Sequence, residues 1–192
     1  KVIAVAAVGG ISSEMTPAML AFPDQIVDYT WGRENTFFDG DMQPVTHIDF
    51  TYPYCTELRE KLIECTRRAG IQAVEHGTYG ATQGPRLESA AEIDRLERDG
   101  CDLVGMTGMP EAALARELGL CYTTCAVVAN WAAGRGDGER VITMEEIEAH
   151  LKDGMKNVKK MLSWTVWNAV RAVLPVRPVC LCLIISDLGK QK

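Results

Sequence analysis

From residue 55 onward the chain alternates short apolar runs with longer stretches of helical period, and this alternation constrains its fold more than any other feature. CTELREKLIECTRRA places Leu58, Leu62 and Cys65 on one face, and Gly70 closes it as a helix. IQAVEHGTYGAT alternates as a strand. Residues 88–99 have helical period again, with Ala91 and Leu96 apolar, and end at Gly100. CDLVGMT is a short buried strand, and PEAALAREL is a helix with Pro in its first turn and Gly119 beyond its end. LCYTTCAVVAN is a strand, and TMEEIEAHLKDGMKNVKKML is a long amphipathic helix capped by Thr143. Such alternation predicts an α/β architecture, a mixed sheet flanked by helices. Upstream, KVIAVAAVGG reads as a buried opening strand, and residues 12–54 are mixed, with one strand-like piece at residues 25–29.

A chain of 192 residues, 47% of them hydrophobic, suits one substantial core. Its net charge of -6 gives no general attraction for nucleic acid or an anionic membrane. The apolar runs KVIAVAAVGG and VCLCLIIS are both shorter than a membrane span. Seven cysteines without a CxxC pair predict buried free thiols in a reducing cytoplasm.

In open α/β sheets ligands bind beyond the carboxyl ends of strands, so four strand ends carry the search for a site. The first, AVGGIS, is either a plain turn or a concavity whose amides, left open by Gly9 and Gly10, accept an anion. The second is TQGPRLESAAE. Here Glu88 is either a first-turn acid complementing the helix dipole or a carboxylate aimed at a ligand. In the third, GMTGMPE, Thr107 offers a hydroxyl just before a helix start, where anions are favoured; Met106 is core or packs against a sugar. In the fourth, VVANWAAG, Asn130 caps a turn or presents both donor and acceptor to a heterocycle.

In this order and spacing, GPRLESAAEIDRLERDGCDLVGMTGMPEAALARELGLCYTTCAVVANWAAG resembles the core of the trimeric purine nucleoside phosphorylase and methylthioadenosine phosphorylase family, as do FFDG and HIDFTYPYC. The resemblance runs over residues 2–162 and implies a nucleoside phosphorylase fold of α/β/α type. It implies a pentosyltransferase of purine salvage, in which phosphate attacks C1′ of a purine nucleoside and the base leaves. No metal or organic cofactor is implied, inorganic phosphate being the co-substrate. By match of motifs, Thr107 with the backbone at Ala7 binds phosphate, Met106 packs under the ribose, and Leu87 stands where relatives place a Phe against the purine. Arg86 either touches ligand or braces its loop.

The base site is implied by Glu88 and Asn130, where adenine-specific relatives carry Ser and Asp. A carboxylate accepts the N1–H that only a 6-oxopurine presents, and the Asn amide serves O6 and a protonated N7. At the sugar end, Met144 falls where inosine and guanosine enzymes place a His near the 5′-hydroxyl, with Ile147 one turn on. An apolar site there favours a methylthio group over a hydroxyl. His150 is expected on the surface. S-methyl-5′-thioinosine is therefore the expected substrate, with inosine or guanosine, then methylthioadenosine, as the other readings.

The resemblance also implies a homotrimer whose sites borrow from the loop at residues 37–47, including Met42. The chain lacks the family's opening Gly-rich strand-loop and Arg-His segment. It is expected to be N-terminally incomplete, and an inactive fragment of the fold is the rival reading. Residues 1–162 form the expected phosphorylase domain. Residues 163–192 form an atypical extension in which Trp164, Trp167 and Val170 continue the last helix's apolar face and CLCLII adds a strand. The CxC of Cys180 and Cys182 fits core packing better than a metal.

Overall fold

A computed structural model describes residues 1–39, 46–136, 141–172 and 182–185, with side chains as far as Trp164. The strands are β1 Val2–Gly10, β2 Leu20–Ala21, β3 Gln25–Asp28, β4 Ala73–Val74, β5 Thr78–Ala81, β6 Leu103–Gly105, β7 Tyr122–Trp131 and β8 Cys182–Ile185. The helices are α1 Thr56–Arg68, α2 Ala90–Arg98, α3 Gly108–Glu117 and α4 Met144–Ala172. The strands form one mixed sheet in the order β3-β5-β6-β1-β7-β2-β4.

The two long central strands, β1 and β7, run parallel from Val2 beside Tyr122 to Gly10 beside Trp131. Both are buried on both faces, which is why they read as continuous apolar runs. Ile3, Val5, Cys125 and Val127 face the cluster built with Leu58 and Leu62 of α1 and Val158 and Met161 of α4. Ala4, Ala6, Ala126 and Val128 face the opposite cluster, which includes Met109, Ala112 and Ala115 of α3. The small residues on that second face let α3 lie close to the sheet. Ile93 and Leu96 of α2 pack with Ile11, Val104 and Ala132, while Ala91 is exposed.

IQAVEHGTYGAT departs from the expected single strand. Gly77, at φ +135°, interrupts it, and its N–H donates to Asp24 Oδ1 at 3.0 Å. The result is two strands with different neighbours: β4 pairs with β2, and β5 lies between β3 and β6. The cysteines also differ from expectation. Cys65, Cys101 and Cys125 are buried free thiols, but Cys55 and Cys121 form a disulfide tying the N-cap of α1 to the residue before β7. Burial pushes the Cys125 thiol up to about 12, which keeps it protonated and inert.

Residues 40–45, with Met42, lie outside the described residues, as do Cys180 and the side chains of Trp167 and Val170. β8 runs parallel to β1, from Val2 beside Cys182 to Val5 beside Ile185. It shares with β6 the edge of β1 that β7 leaves free.

Candidate active site

The loop after β5 is built by its capping chemistry. Ser89 is the N-cap of α2: its Oγ accepts the Glu92 N–H at 3.3 Å, and Glu92 Oε2 accepts the Ser89 N–H at 2.8 Å. Arg86 grips the same carboxylate with both Nη atoms, each at 2.8 Å. The Arg86 guanidinium, with the Ser89 N–H, holds the Glu92 carboxyl down at about 2. Arg86 therefore braces the loop. Glu92 is the first-turn acid, and Glu88 precedes the cap, so the helix explains nothing about Glu88. Instead, the half-buried Glu88 accepts the Thr82 hydroxyl on Oε1 at 2.6 Å. Leu87 beside it is 46% exposed, free to lie against a ligand.

This loop touches the turn after β6. Gly84 sits at φ +64°, and a Cβ there would lie 2.3 Å from the Met106 sulfur, so only glycine permits the approach. Thr107 follows Met106 at the N-cap position of α3. Its hydroxyl does not cap the helix, and its N–H reaches the Tyr79 hydroxyl at 3.4 Å. Met109 is extended (φ -121°, ψ 138°), as a residue before proline prefers, so regular helix begins at Pro110. Both Met106 and Thr107 are half-buried at the carboxyl end of β6.

The other wall is the pair β1 and β7. Gly9 and Gly10 are not a loop: they end β1, after a register shift, with Gly9 between Val104 and Asn130. A Cβ at Gly10 would lie 2.1 Å from the Met15 carbonyl oxygen, so close backbone approach requires that glycine. Ala7 is half-buried, and Gly9 is buried. Asn130 is half-buried, its Nδ2 donating to the Trp131 carbonyl at 2.7 Å. The amide keeps a second N–H and its carbonyl oxygen for a ligand.

α4 lies over the end of β7. His150, expected on the surface, is half-buried with Nδ1 3.0 Å from the Ala129 carbonyl. Since a carbonyl only accepts, Nδ1 carries the proton. Thr143 caps α4, its Oγ1 accepting the Glu146 N–H at 3.3 Å. Ile147 is buried, whereas Met144 is 54% exposed.

A cleft of about 490 Å³ opens beside Glu88, lined by Tyr29, Trp31, Thr82, Glu88, Arg95 and Leu96 among others. Met106, Thr107 and Asn130 are not among its lining residues. The direct links thus join the Glu88 loop to the Met106 turn, and separately join Gly9 to Asn130. Among the described residues no cluster of three or more His, Cys, Asp and Glu is arranged to hold a metal. No helix there is long and apolar enough to cross a membrane. Sequence reasoning missed Thr82 and Arg33. Thr82 could have been suspected as the polar residue just after β5; Arg33, in a loop without periodicity, carries no comparable signal.

The sequence profile of the Phosphorylase superfamily matches residues 1–166. The chain is 52% identical over 163 residues to a probable S-methyl-5′-thioinosine phosphorylase of Xylella fastidiosa (strain Temecula1), covering 85% of this chain and 65% of that protein. It is 45% identical over 168 residues to the 6-oxopurine nucleoside phosphorylase of Pyrococcus furiosus, covering 85% of this chain and 63% of that one. The chain therefore spans somewhat less than two thirds of these relatives. Among solved structures, methylthioadenosine phosphorylase from Schistosoma mansoni with adenine superposes with a TM-score of 0.82 at 26% identity, covering 90% of this chain and 66% of that one.

Proposed function

The chain belongs to the Phosphorylase superfamily, and from that premise we propose that it catalyses phosphorolysis of S-methyl-5′-thioinosine to hypoxanthine and 5-methylthioribose 1-phosphate, a pentosyl transfer of purine salvage. One observation carries the reading: Glu88 has no part in capping α2, and its carboxylate is held at Oε1 by Thr82. Its second oxygen is left to accept the N1–H of a 6-oxopurine. A 6-aminopurine would face that oxygen with a lone pair. Leaving such a buried polar group unmatched costs about 1–3 kcal/mol, enough for strong selection of the base.

In the proposed reaction a phosphate oxygen attacks C1′ as the bond from C1′ to N9 breaks; the electron pair passes to the purine, and the proton that hydrogen phosphate gives up on becoming the ester is taken up at N7 through solvent. The Asn130 NH2 donates to O6 and its carbonyl oxygen accepts from the N7–H, stabilising charge where it develops. Thr107 and the backbone at Ala7 hold phosphate on the opposite side of the sugar, Gly9 lines the substrate site, and Met106 lies under the ribose. Leu87 packs on the base, and Met144 with Ile147 lines the 5′ end. Phosphate is a co-substrate, and no other cofactor is proposed.

The more-than-half exposure of Met144 favours one second reading, an inosine or guanosine phosphorylase sharing the base site but not an apolar 5′ pocket. We read the protein as a homotrimer without nucleic-acid or membrane partners, residues 1–162 forming the catalytic domain and 163–192 an extension. Phosphate-dependent base release, measured on methylthioinosine, inosine and methylthioadenosine, tests the substrate. Highest turnover of methylthioinosine is expected; highest turnover of methylthioadenosine would sink the Glu88 argument. An inactive chain would leave a fold remnant. Light scattering reads the trimer.

A further inference from the structure

Arg33 lies on the segment following β3, half-buried, and its guanidinium is wholly committed. Nε donates to Gln83 Oε1 at 3.2 Å. Nη1 donates to the Met106 carbonyl at 2.7 Å and to the Met109 carbonyl. Nη2 donates to the carbonyls of Thr82 at 3.2 Å and Gln83 at 3.0 Å. An arginine has five N–H groups in a fixed planar fork, and all five are spent. None is left for a ligand, so Arg33 acts only through what it holds.

What it holds is the two segments that carry the proposed base and ribose contacts. Thr82 and Gln83 begin the loop that ends in Glu88, and Thr82 itself orients the Glu88 carboxylate. Met106 and Met109 flank Thr107. The contact of Gly84 with the Met106 sulfur independently places the same segments against each other. Four of the five acceptors are main-chain carbonyls, so the fork fixes backbone position rather than side-chain choice. The segment bearing Arg33 is anchored in turn, because β3 pairs with β5 up to Asp28 beside Ala81 and the Trp31 N–H donates to Gln83 Oε1 at 3.1 Å.

We propose that Arg33 is a positioning residue that locks residues 82–88 and 106–109 into one register, so that the base site and the sugar–phosphate site are set together. The catalytic part of this rests on the phosphorolysis reading; the mechanical part does not. Lysine keeps the charge but offers three donors from a single point, and cannot span four carbonyls on two loops.

The test compares the full chain with Arg33→Lys and Arg33→Ala, by hydrogen exchange and by steady-state phosphorolysis of methylthioinosine. Amides of residues 82–88 and 106–109 are expected to exchange faster together in both variants, while those of α1 and α4 keep their wild-type rates. Acceleration of one segment alone, or of neither, overturns the clamp whether or not the enzyme is active. For catalysis, Arg33→Lys is expected to lower kcat/KM on the order of a hundredfold, as a displacement of about 1 Å does. Guanidinium ion should partly restore Arg33→Ala where ammonium does not. Arg33→Lys within twofold of wild type would overturn the positioning role. A wild-type chain that turns over no nucleoside would instead count against the phosphorolysis reading, and exchange alone would then judge the clamp.

Discussion

Substituting Glu88→Gln isolates one charge with little structural disturbance. Glu88 precedes the N-cap Ser89, and the capping box and the Arg86 fork both use Glu92, so α2 loses nothing. Two orientations of the new amide bracket the cost. With its oxygen kept on the Thr82 hydroxyl, where Glu88 Oε1 now sits at 2.6 Å, its NH2 would face the purine N1–H donor to donor. Flipped, its oxygen would meet N1–H and its NH2 would meet Thr82, whose hydroxyl can turn to the Gly105 carbonyl 3.3 Å away. The flipped form loses only the charge assistance. Losing a hydrogen bond to a charged group costs about 1.5–3 kcal/mol, or about 10- to 150-fold in kcat/KM. The glutamine NH2 can donate to the N1 lone pair of a 6-aminopurine, so the ratio of methylthioinosine to methylthioadenosine turnover should fall further than the loss on methylthioinosine alone. The assay is steady-state base release at saturating phosphate, with a thermal melt of the same protein. Unchanged methylthioinosine turnover, or a loss matched by a large fall in Tm, would refute the assignment of Glu88 to the base.

The same site yields further expectations. Gly84→Ala forces a side chain into φ +64° and against the Met106 sulfur, so it should cost roughly 1–2 kcal/mol in urea denaturation and lower turnover. Ser89→Ala removes the cap of α2 and should cost about 1 kcal/mol by the same measurement. Because the folded Glu92 carboxyl lies at about 2 against 4.5 ordinarily, its contribution to stability is complete above about pH 4.5 and disappears as pH falls through about 2. Arg86→Gln should shrink that acid dependence in a pH series of melts. Glu111 runs the other way: burial raises its carboxyl, opposed by the Tyr122 hydroxyl donating at 3.0 Å. Its contribution is full below the ordinary Glu range and is lost as pH rises from there through the folded value, so Glu111→Gln should flatten the fall in Tm that begins just above the ordinary Glu range.

How much of this was legible depended on whether the information is periodic. β1, β6, β7, α1 and α4 announced themselves because burial on one face or two leaves a repeating trace along the chain. The start of α2 was misplaced because Leu87, Glu88, Ser89, Ala90 and Ala91 all suit a helix. The reciprocal pair Ser89 and Glu92, spaced as a capping box, was the signal that could have placed it. Gly77 splits β4 from β5 because its positive φ redirects the chain between different partners, a fact about neighbours rather than about local alternation. The Cys55–Cys121 bond joins residues 66 apart in sequence, and nothing near either cysteine advertises the other. Asn130, Glu88, Met106 and Thr107 suggest a site only as a set, since each alone has an ordinary structural use.

Arg33 was illegible for a reason that bears on how such a site can change. Its partners at residues 82, 83, 106 and 109 are held mainly by their carbonyl oxygens, which every residue possesses. A frame gripped by its backbone tolerates new side chains along it, because the acceptors survive the exchange. Leu87, Glu88 and Met106 can therefore vary while the distance between the loops stays fixed. Glu88 belongs to the exchangeable layer, oriented by Thr82 from within its own loop. Substitution at Glu88 or Asn130 should then move base preference without loosening the loops, whereas substitution at Arg33 should weaken every substrate alike. A variant at Arg33 that altered the ratio of 6-oxo- to 6-aminopurine turnover while sparing the better substrate would contradict this separation of frame from choice.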